Sequence, residues 1–230
     1  DSGVLVQRGS KLLSDRQQRL RSYQNAAYVK TYIDVMSKLR AADPHSEQAD
    51  SVSYAAAQQL FRLMAYKDEY EVARLYSDGE FQRKLAAQFE GDYTLRFNLA
   101  PPLLSKRDPQ TGELVKQEYG PWMQSAFRGL AKFKFLRGTA MDVFGYTQER
   151  KQERQDIVDY RTLLESIILE LRDDNYPVAV ELAASVSKLR GYGHVKDRNR
   201  EQLAADQAVL LRRLRGENEQ ESTLRFVDAA

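Results

Sequence analysis

Residues 20–39 read LRSYQNAAYVKTYIDVMSKL, and their apolar members Leu20, Tyr23, Ala27, Tyr28, Tyr32, Val35, Met36 and Leu39 recur at intervals of three and four. That spacing puts them on one face of an α-helix and predicts a long amphipathic helix from about Leu12 to Leu39, closed by Asp43-Pro44. The only clear change of period comes at residues 93–99, YTLRFNL. There Tyr93, Leu95, Phe97 and Leu99 alternate with polar residues as a half-buried strand requires. The fold class expected from this contrast is mainly α, a multi-helix domain with one small β-hairpin near residues 93–119.

Outward from the first helix, a second helical stretch starts near Asp50. It carries Val52, Ala56, Leu60, Leu63 and Met64 on one stripe, then Tyr66, Tyr70, Ala73 and Tyr76 on a displaced one, predicting a kink or break near Tyr66-Lys67. Ser77-Asp78-Gly79-Glu80 has capping-box spacing ahead of Phe81, Leu85 and Phe89, with Gly91 as the stop. Past Pro101-Pro102, a polar segment with Asp108-Pro109 and Thr111-Gly112 allows Leu114 to Tyr119 to return as a second strand. Gly120-Pro121 opens a helix ending at Arg137-Gly138. Thr147 can cap a long helix that carries Ile157, Leu164, Ile167, Ile168 and Leu171. Asn175-Tyr176-Pro177 starts another, and a last one runs from about Asp197 to Arg215.

The chain has 230 residues, 42% of them hydrophobic, enough to fold as one helical domain over residues 1–216 without disulfide or metal support. The polar remainder, 217–230, reads as a disordered or docked tail. Thirty-five Lys and Arg against 33 Asp and Glu give a net charge of +2, too balanced to point to nucleic acid or an anionic membrane. The absence of Cys removes disulfides, thiolate nucleophiles and cysteine-ligated zinc or iron–sulfur sites. His45 and His194 are the only histidines and lie far apart in sequence, which argues against a histidine-based metal site. No apolar run approaches a membrane span, so the expected protein is soluble and cytoplasmic.

Several segments together resemble the C-terminal domain, of unknown function, of the large fused indolepyruvate ferredoxin oxidoreductases. They are Tyr23-Gln24-Asn25-Ala26-Ala27-Tyr28, then the longest and most specific, Leu63-Met64-Ala65-Tyr66-Lys67-Asp68-Glu69-Tyr70-Glu71-Val72-Ala73-Arg74-Leu75. Leu99 to Leu104 and Tyr119-Gly120-Pro121-Trp122-Met123 follow in order, as do Leu136-Arg137-Gly138-Thr139 with Asp142 and Phe144-Gly145. Glu149-Arg150, Glu153-Arg154 and Arg190-Gly191-Tyr192-Gly193-His194-Val195-Lys196 complete the series. The resemblance covers roughly Leu12 to Leu214. Val186-Ser187 departs from it, since the family often has a proline a few residues before the Arg-Gly turn.

The resemblance implies a part in the oxidative decarboxylation of aryl 2-oxoacids to acyl-CoA, with electrons passed to ferredoxin, as in aromatic amino-acid catabolism. It also implies that the parent enzyme uses thiamine diphosphate, magnesium and iron–sulfur clusters. This chain has neither Cys ligands nor a Gly-Asp-Gly motif with a downstream Asn, so no cofactor and no catalytic residue is assigned to it. Its expected partners are other domains or subunits of the oxidoreductase, with ferredoxin and CoA engaged by the parent enzyme.

Two groups of residues carry site expectations. In Arg190 to Lys196, Gly191 and Gly193 allow a tight turn that exposes N–H groups beside Arg190, His194 and Lys196, suited to an anion or a neighbouring domain's carboxylate. The same residues also read as a plain helix-to-helix turn with glycine at the C-cap. A possible charge network comprises Lys67, Asp68, Glu71, Arg74, Arg137, Asp142, Glu149, Arg150, Glu153 and Arg154. Within it, Glu71 can pair with Lys67, and the Arg150/Arg154 spacing of four can grip a carboxylate or phosphate. The bland alternatives are a salt-bridged junction and a solvated helix face. Three functions therefore stand at this point: a docking domain inactive alone, an anion-, CoA- or 2-oxoacid-binding module built on the 190–196 turn, and a free-standing helical RNA-binding protein using its tyrosines.

Overall fold

Asn25 interrupts the first predicted helix. In the computed structural model, which describes residues 2–91, 93–100, 105, 115–191 and 193–217, two helices replace it: α1 (Ser2–Tyr23) and α2 (Ala26–Ala42). The Asn25 side chain accepts a hydrogen bond from the Tyr28 amide at 2.9 Å, so a strong N-cap residue wins over a continuous apolar stripe. The second predicted stretch breaks where expected. Ser51 caps α3 (Val52–Met64), and Asp68 caps α4 (Glu69–Ser77).

The described residues form nine helices and one two-stranded sheet, and the fold is mainly α. They divide into two compact units: residues 1–65 with 152–230, and the continuous segment 66–151.

In the first unit α1, α2 and α3 pack on one another, and α8 (Tyr176–Ala184) packs on α3 and on α9 (Gly193–Arg215). Leu20, Tyr32, Leu39, Leu60, Leu182 and Leu214 are fully buried there. So are Leu164 and Ile167 of α7 (Gln148–Glu170), whose first turn belongs to the other unit. Core tyrosines donate their hydroxyls to helix carbonyls: Tyr28 to Met64 (2.9 Å), Tyr32 to Ala57 (3.0 Å) and Tyr160 to Ala183 (2.7 Å). Met64 and Ala183 lie in last turns, where carbonyls lack a helical donor. Each ring thus fills the core while its hydroxyl satisfies a neighbouring backbone.

Polar side chains tie this unit's ends. Asp43, 4% exposed, accepts from the amides of His45 (2.9 Å) and Ser53 (2.8 Å) and from the Tyr176 hydroxyl (3.0 Å). Asn175 donates to the carbonyls of Glu170 (2.7 Å) and Leu214 (2.8 Å), joining the ends of α7 and α9 to the start of α8. Sequence reasoning treated Asp43 and Asn175 only as helix punctuation.

The second unit is built from shorter pieces. Helix α4 packs against α5 (Glu80–Gln88) and α6 (Met123–Lys132). Strands β1 (Phe97–Leu99) and β2 (Gln117–Tyr119) pair antiparallel, Phe97 opposite Tyr119. Ala73, Phe97, Met123 and Phe127 form its small core, with the Tyr76 ring stacked on Phe127 at 5.1 Å between centroids.

Four local expectations shift. Both strands are shorter than the predicted 93–99 and 114–119, and the connecting segment lies largely outside the described residues, as does the tail after 217. The capping box does not form, because Ser77 Oγ turns back to the Ala73 carbonyl (2.7 Å) and Gly79, at φ +84°, occupies the cap of α5. Helix α6 gives way to a 3₁₀ turn at Phe133–Leu136 before Gly138. Helix α9 begins at Gly193, ahead of the predicted Asp197.

Candidate functional site

Asp68 has two tasks. One carboxylate oxygen caps α4 by accepting from the Glu71 amide at 2.8 Å, and the pair of oxygens receives the Arg137 guanidinium side-on, with Nη2 to Oδ1 at 2.8 Å and a second bond from Nε. Asp68 is 3% and Arg137 5% exposed. Two ions buried this deeply forfeit several kcal/mol of hydration each, and only matched geometry with additional hydrogen bonds offsets it. The fork supplies that geometry, and the cap adds a further hydrogen bond to Oδ1.

The pair extends into the loop behind it. Arg137 lies over the Tyr70 ring, 5.7 Å from its centroid, and the Tyr70 hydroxyl donates to Asp142 Oδ1 at 3.3 Å. Asp142 in turn accepts from the amides of Gly138 (2.8 Å) and Gly145 (3.0 Å), closing residues 138–145 around one carboxylate. At Gly145 a Cβ would sit 2.4 Å from Asp142 Oδ2, so this closure needs glycine. Burial first, then the adjacent Asp142 carboxylate, push the Tyr70 hydroxyl up to about 12.

Around this centre the remaining charges also find partners. Arg74 chelates Glu71 through Nε and Nη2 at 2.8 and 2.7 Å and reaches Asp78 at 3.1 Å, contacts that hold its proton more tightly. Glu69 receives Arg150 at 3.4 Å, and Arg150 lies 5.9 Å above the Tyr66 ring. Lys134 was missed in the sequence. Burial, then the nearby Arg74 and Arg137 cations, lower its pKa.

The structure therefore gathers Asp68, Glu71, Arg74, Arg137 and Asp142, with Arg150 joining through Glu69. Lys67 is exposed and outside the group, since Glu71 takes Arg74 in place of the expected Lys67. Glu149 is exposed as well. Glu153 and Arg154 belong to the first unit, where Glu153 faces Lys196 at 3.4 Å. Of the arginine pair spaced at four, Arg150 reaches Glu69 within the second unit, and Arg154 belongs to the first.

At the 190–196 turn, Gly191 (φ +96°) and Gly193 (φ +51°) adopt the left-handed backbone that favours glycine, and a Cβ on Gly191 would meet Val195 Cγ1 at 2.9 Å. Of the three cationic side chains, Lys196 faces Glu153 and, at 4.0 Å, Asp156. Arg190 Nε donates to the Ser187 carbonyl at 2.9 Å, and the Arg190 carbonyl accepts from Asn199 at 2.9 Å. Arg190 and His194 are exposed. Next to the turn, Arg200 forks onto Asp156 at 2.9 and 3.1 Å, a pair that sequence reasoning did not find. These contacts make the turn a junction secured to α7.

No group of three potential metal-binding side chains occurs among the described residues, and none of their helices is long and apolar enough to cross a membrane. No curated protein and no solved structure matches the chain. A model of a family of unknown function, DUF6537, matches residues 10–209. The match takes in the whole of the second unit and residues 10–65 and 152–209 of the first, and the chain belongs to that family.

Proposed function

We propose that this chain is a structural and docking domain of an indolepyruvate ferredoxin oxidoreductase, inactive by itself. The reading rests on the ordered series of motifs that resemble that enzyme's C-terminal domain. The observation that carries it is where those motif residues go: Asp68, Tyr70, Arg137, Asp142 and Gly145 are spent on one another, fixing a loop against a helix. Lys196 is likewise drawn to acidic side chains of α7. A frame of this kind presents a shaped surface and leaves few groups for chemistry.

The parent's cofactors do not fit the donors present. The chain has no Cys to ligate an iron–sulfur cluster, and its buried carboxylates are already paired with Arg or backbone amides, so no step is derived through those groups. Other domains or subunits supply the chemistry and are the partners of this one, and a cytoplasmic location goes with that assignment.

The isolated chain, incubated with indolepyruvate, CoA and a low-potential electron acceptor, should give no turnover. Acyl-CoA formation without added subunits overturns the proposal. Titration calorimetry with CoA and with indolepyruvate should give no binding heat. Binding that disappears in Arg190→Ala would replace the docking role with a ligand-binding one.

A further inference from the structure

Two exposed helix stripes in this chain share one spacing and carry opposite charge. On the second unit, Trp122, Ala126, Gly129 and Phe133 recur at four, three and four residues, and all four are exposed, Trp122 by 62% and Phe133 by 50%. On α7 in the first unit, Val158, Thr162, Glu165 and Leu169 recur at the same intervals and are also exposed, Val158 by 51% and Leu169 by 82%. The second stripe is a single ridge of α7 about 16 Å long, and the first runs along α6 from its N-cap Trp122 to Phe133 at the start of the 3₁₀ turn, each with a large apolar residue at either end.

The middles are complementary. Between Trp122 and Phe133 the surface drops to Ala126 and Gly129, and a Cβ built on Gly129 meets nothing within 4 Å. Arg128 and Lys132, four residues apart, line one edge of this saddle, and residues 119–141 contain no Asp or Glu. Between Val158 and Leu169 the ridge rises instead to Glu165, and the exposed Asp159 lies at the edge of the stripe near Val158. Among the described residues Arg128, Lys132 and Glu165 have no ion-pair partner. A carboxylate on a ridge thus matches a low saddle edged by two unspent cations, while the apolar ends match one another.

We propose that two copies of this chain associate by seating the Val158–Leu169 ridge of one on the Trp122–Phe133 saddle of the other. Trp122 and Phe133 are each partly covered by their own unit, and the carboxylate of Glu165 is a match for the cations at the saddle edge that only a protein partner supplies in this geometry.

The 230-residue chain should show concentration-dependent dimers in sedimentation velocity, weakened by salt. The double variants Arg128→Glu/Lys132→Glu and Asp159→Lys/Glu165→Lys should each raise the dissociation constant by about tenfold or more. Mixing the two variants should restore association, because each then offers the other a matched face. Since the chain lacks Cys, a second measurement is independent of charge: Ala126→Cys or Gly129→Cys mixed with Glu165→Cys should form the mixed disulfide in preference to either homodimer. A chain that stays monomeric at low salt, a dimer indifferent to both reversals, or a random disulfide distribution overturns the proposal. So does a monomer that floats with phosphatidylserine vesicles and loses this on Trp122→Ser, which would assign the saddle to a membrane.

Discussion

The two units solve the burial problem differently. The first sequesters long aliphatic residues and tyrosines from six helices, and among its described residues the exposed large apolar ones are Val158, Leu169, Val195 and Val209. Among the described residues of the second, Ala73, Phe97, Met123 and Phe127 form the apolar centre, while Phe89, Tyr93, Trp122, Phe133, Phe135 and Tyr146 are exposed. Short helices and three-residue strands cannot enclose a large core, since a smaller folded unit removes a smaller fraction of its surface from water. What fixes the second unit is a set of polar latches, centred on Asp68, Arg137 and Asp142. Along residues 133–146 the usual arrangement is inverted: Arg137 and Asp142 point inward while Phe133, Phe135, Met141, Val143 and Tyr146 face out. A segment held that way by ion pairs displays a rigid apolar surface.

This contrast can be broken at its strongest point. Arg137→Leu leaves the Asp68 carboxylate buried without its cation and should destabilise residues 66–151 by about 3–5 kcal/mol, read by denaturant titration with hydrogen exchange resolving the segment. Replacing Asp68 and Arg137 together by apolar residues should cost less than either single change, because no charge is stranded. The mirror experiment is Leu164→Ala. It creates a cavity in the aliphatic core and should cost about 3 kcal/mol, with exchange rising in residues 1–65 and 152–217. Equal loss of protection across 66–151 in that variant would erase the distinction between the units.

The smallest effect sharpens the comparison through pH. Tyr70 in the second unit and Tyr176 in the first are each pushed up to about 12, burial being the main cause. Their unfolded value is 10.0, so above that pH the unfolded chain releases protons the folded one retains. Stability from these groups is complete below pH 10 and declines as pH rises towards 12. Tyr70→Phe and Tyr176→Phe should each flatten the alkaline slope by at most one proton, measured as melting temperature against pH. An unchanged slope in Tyr70→Phe would mean that the Asp142 contact does not hold its proton.

Much of the architecture was legible because periodicity reports which face is buried. Leu20, Tyr32, Met36 and Leu39 are buried as their spacing required, and the break before α4 falls where the stripe shifts. Asn25 was misread because a cap acts through one hydrogen bond at a helix start, which an apolar pattern running past it conceals. The charge group was half legible. Asp68, Arg137 and Asp142 belonged to motifs noted in the sequence, but the pairing of residues so far apart along the chain is decided by tertiary packing. For the same reason Glu71 chose Arg74 over Lys67, since both lie within helical reach and only burial separates them. Asp156 with Arg200, and Asp43 with Tyr176, had no local signature, as long-range polar pairs seldom do.

The Asp43–Tyr176 bond also bears on the order in which the chain folds during synthesis. It joins two parts of the first unit across the whole of residues 66–151, so α1 to α3 leave the ribosome without the helices that complete their core. The intervening unit is continuous and can fold as soon as it emerges. Until residues beyond 152 follow, Leu39 and Leu60 of the opening helices lack Leu164 and Leu182, and this waiting interval is when the nascent protein is most exposed to aggregation and to chaperone capture.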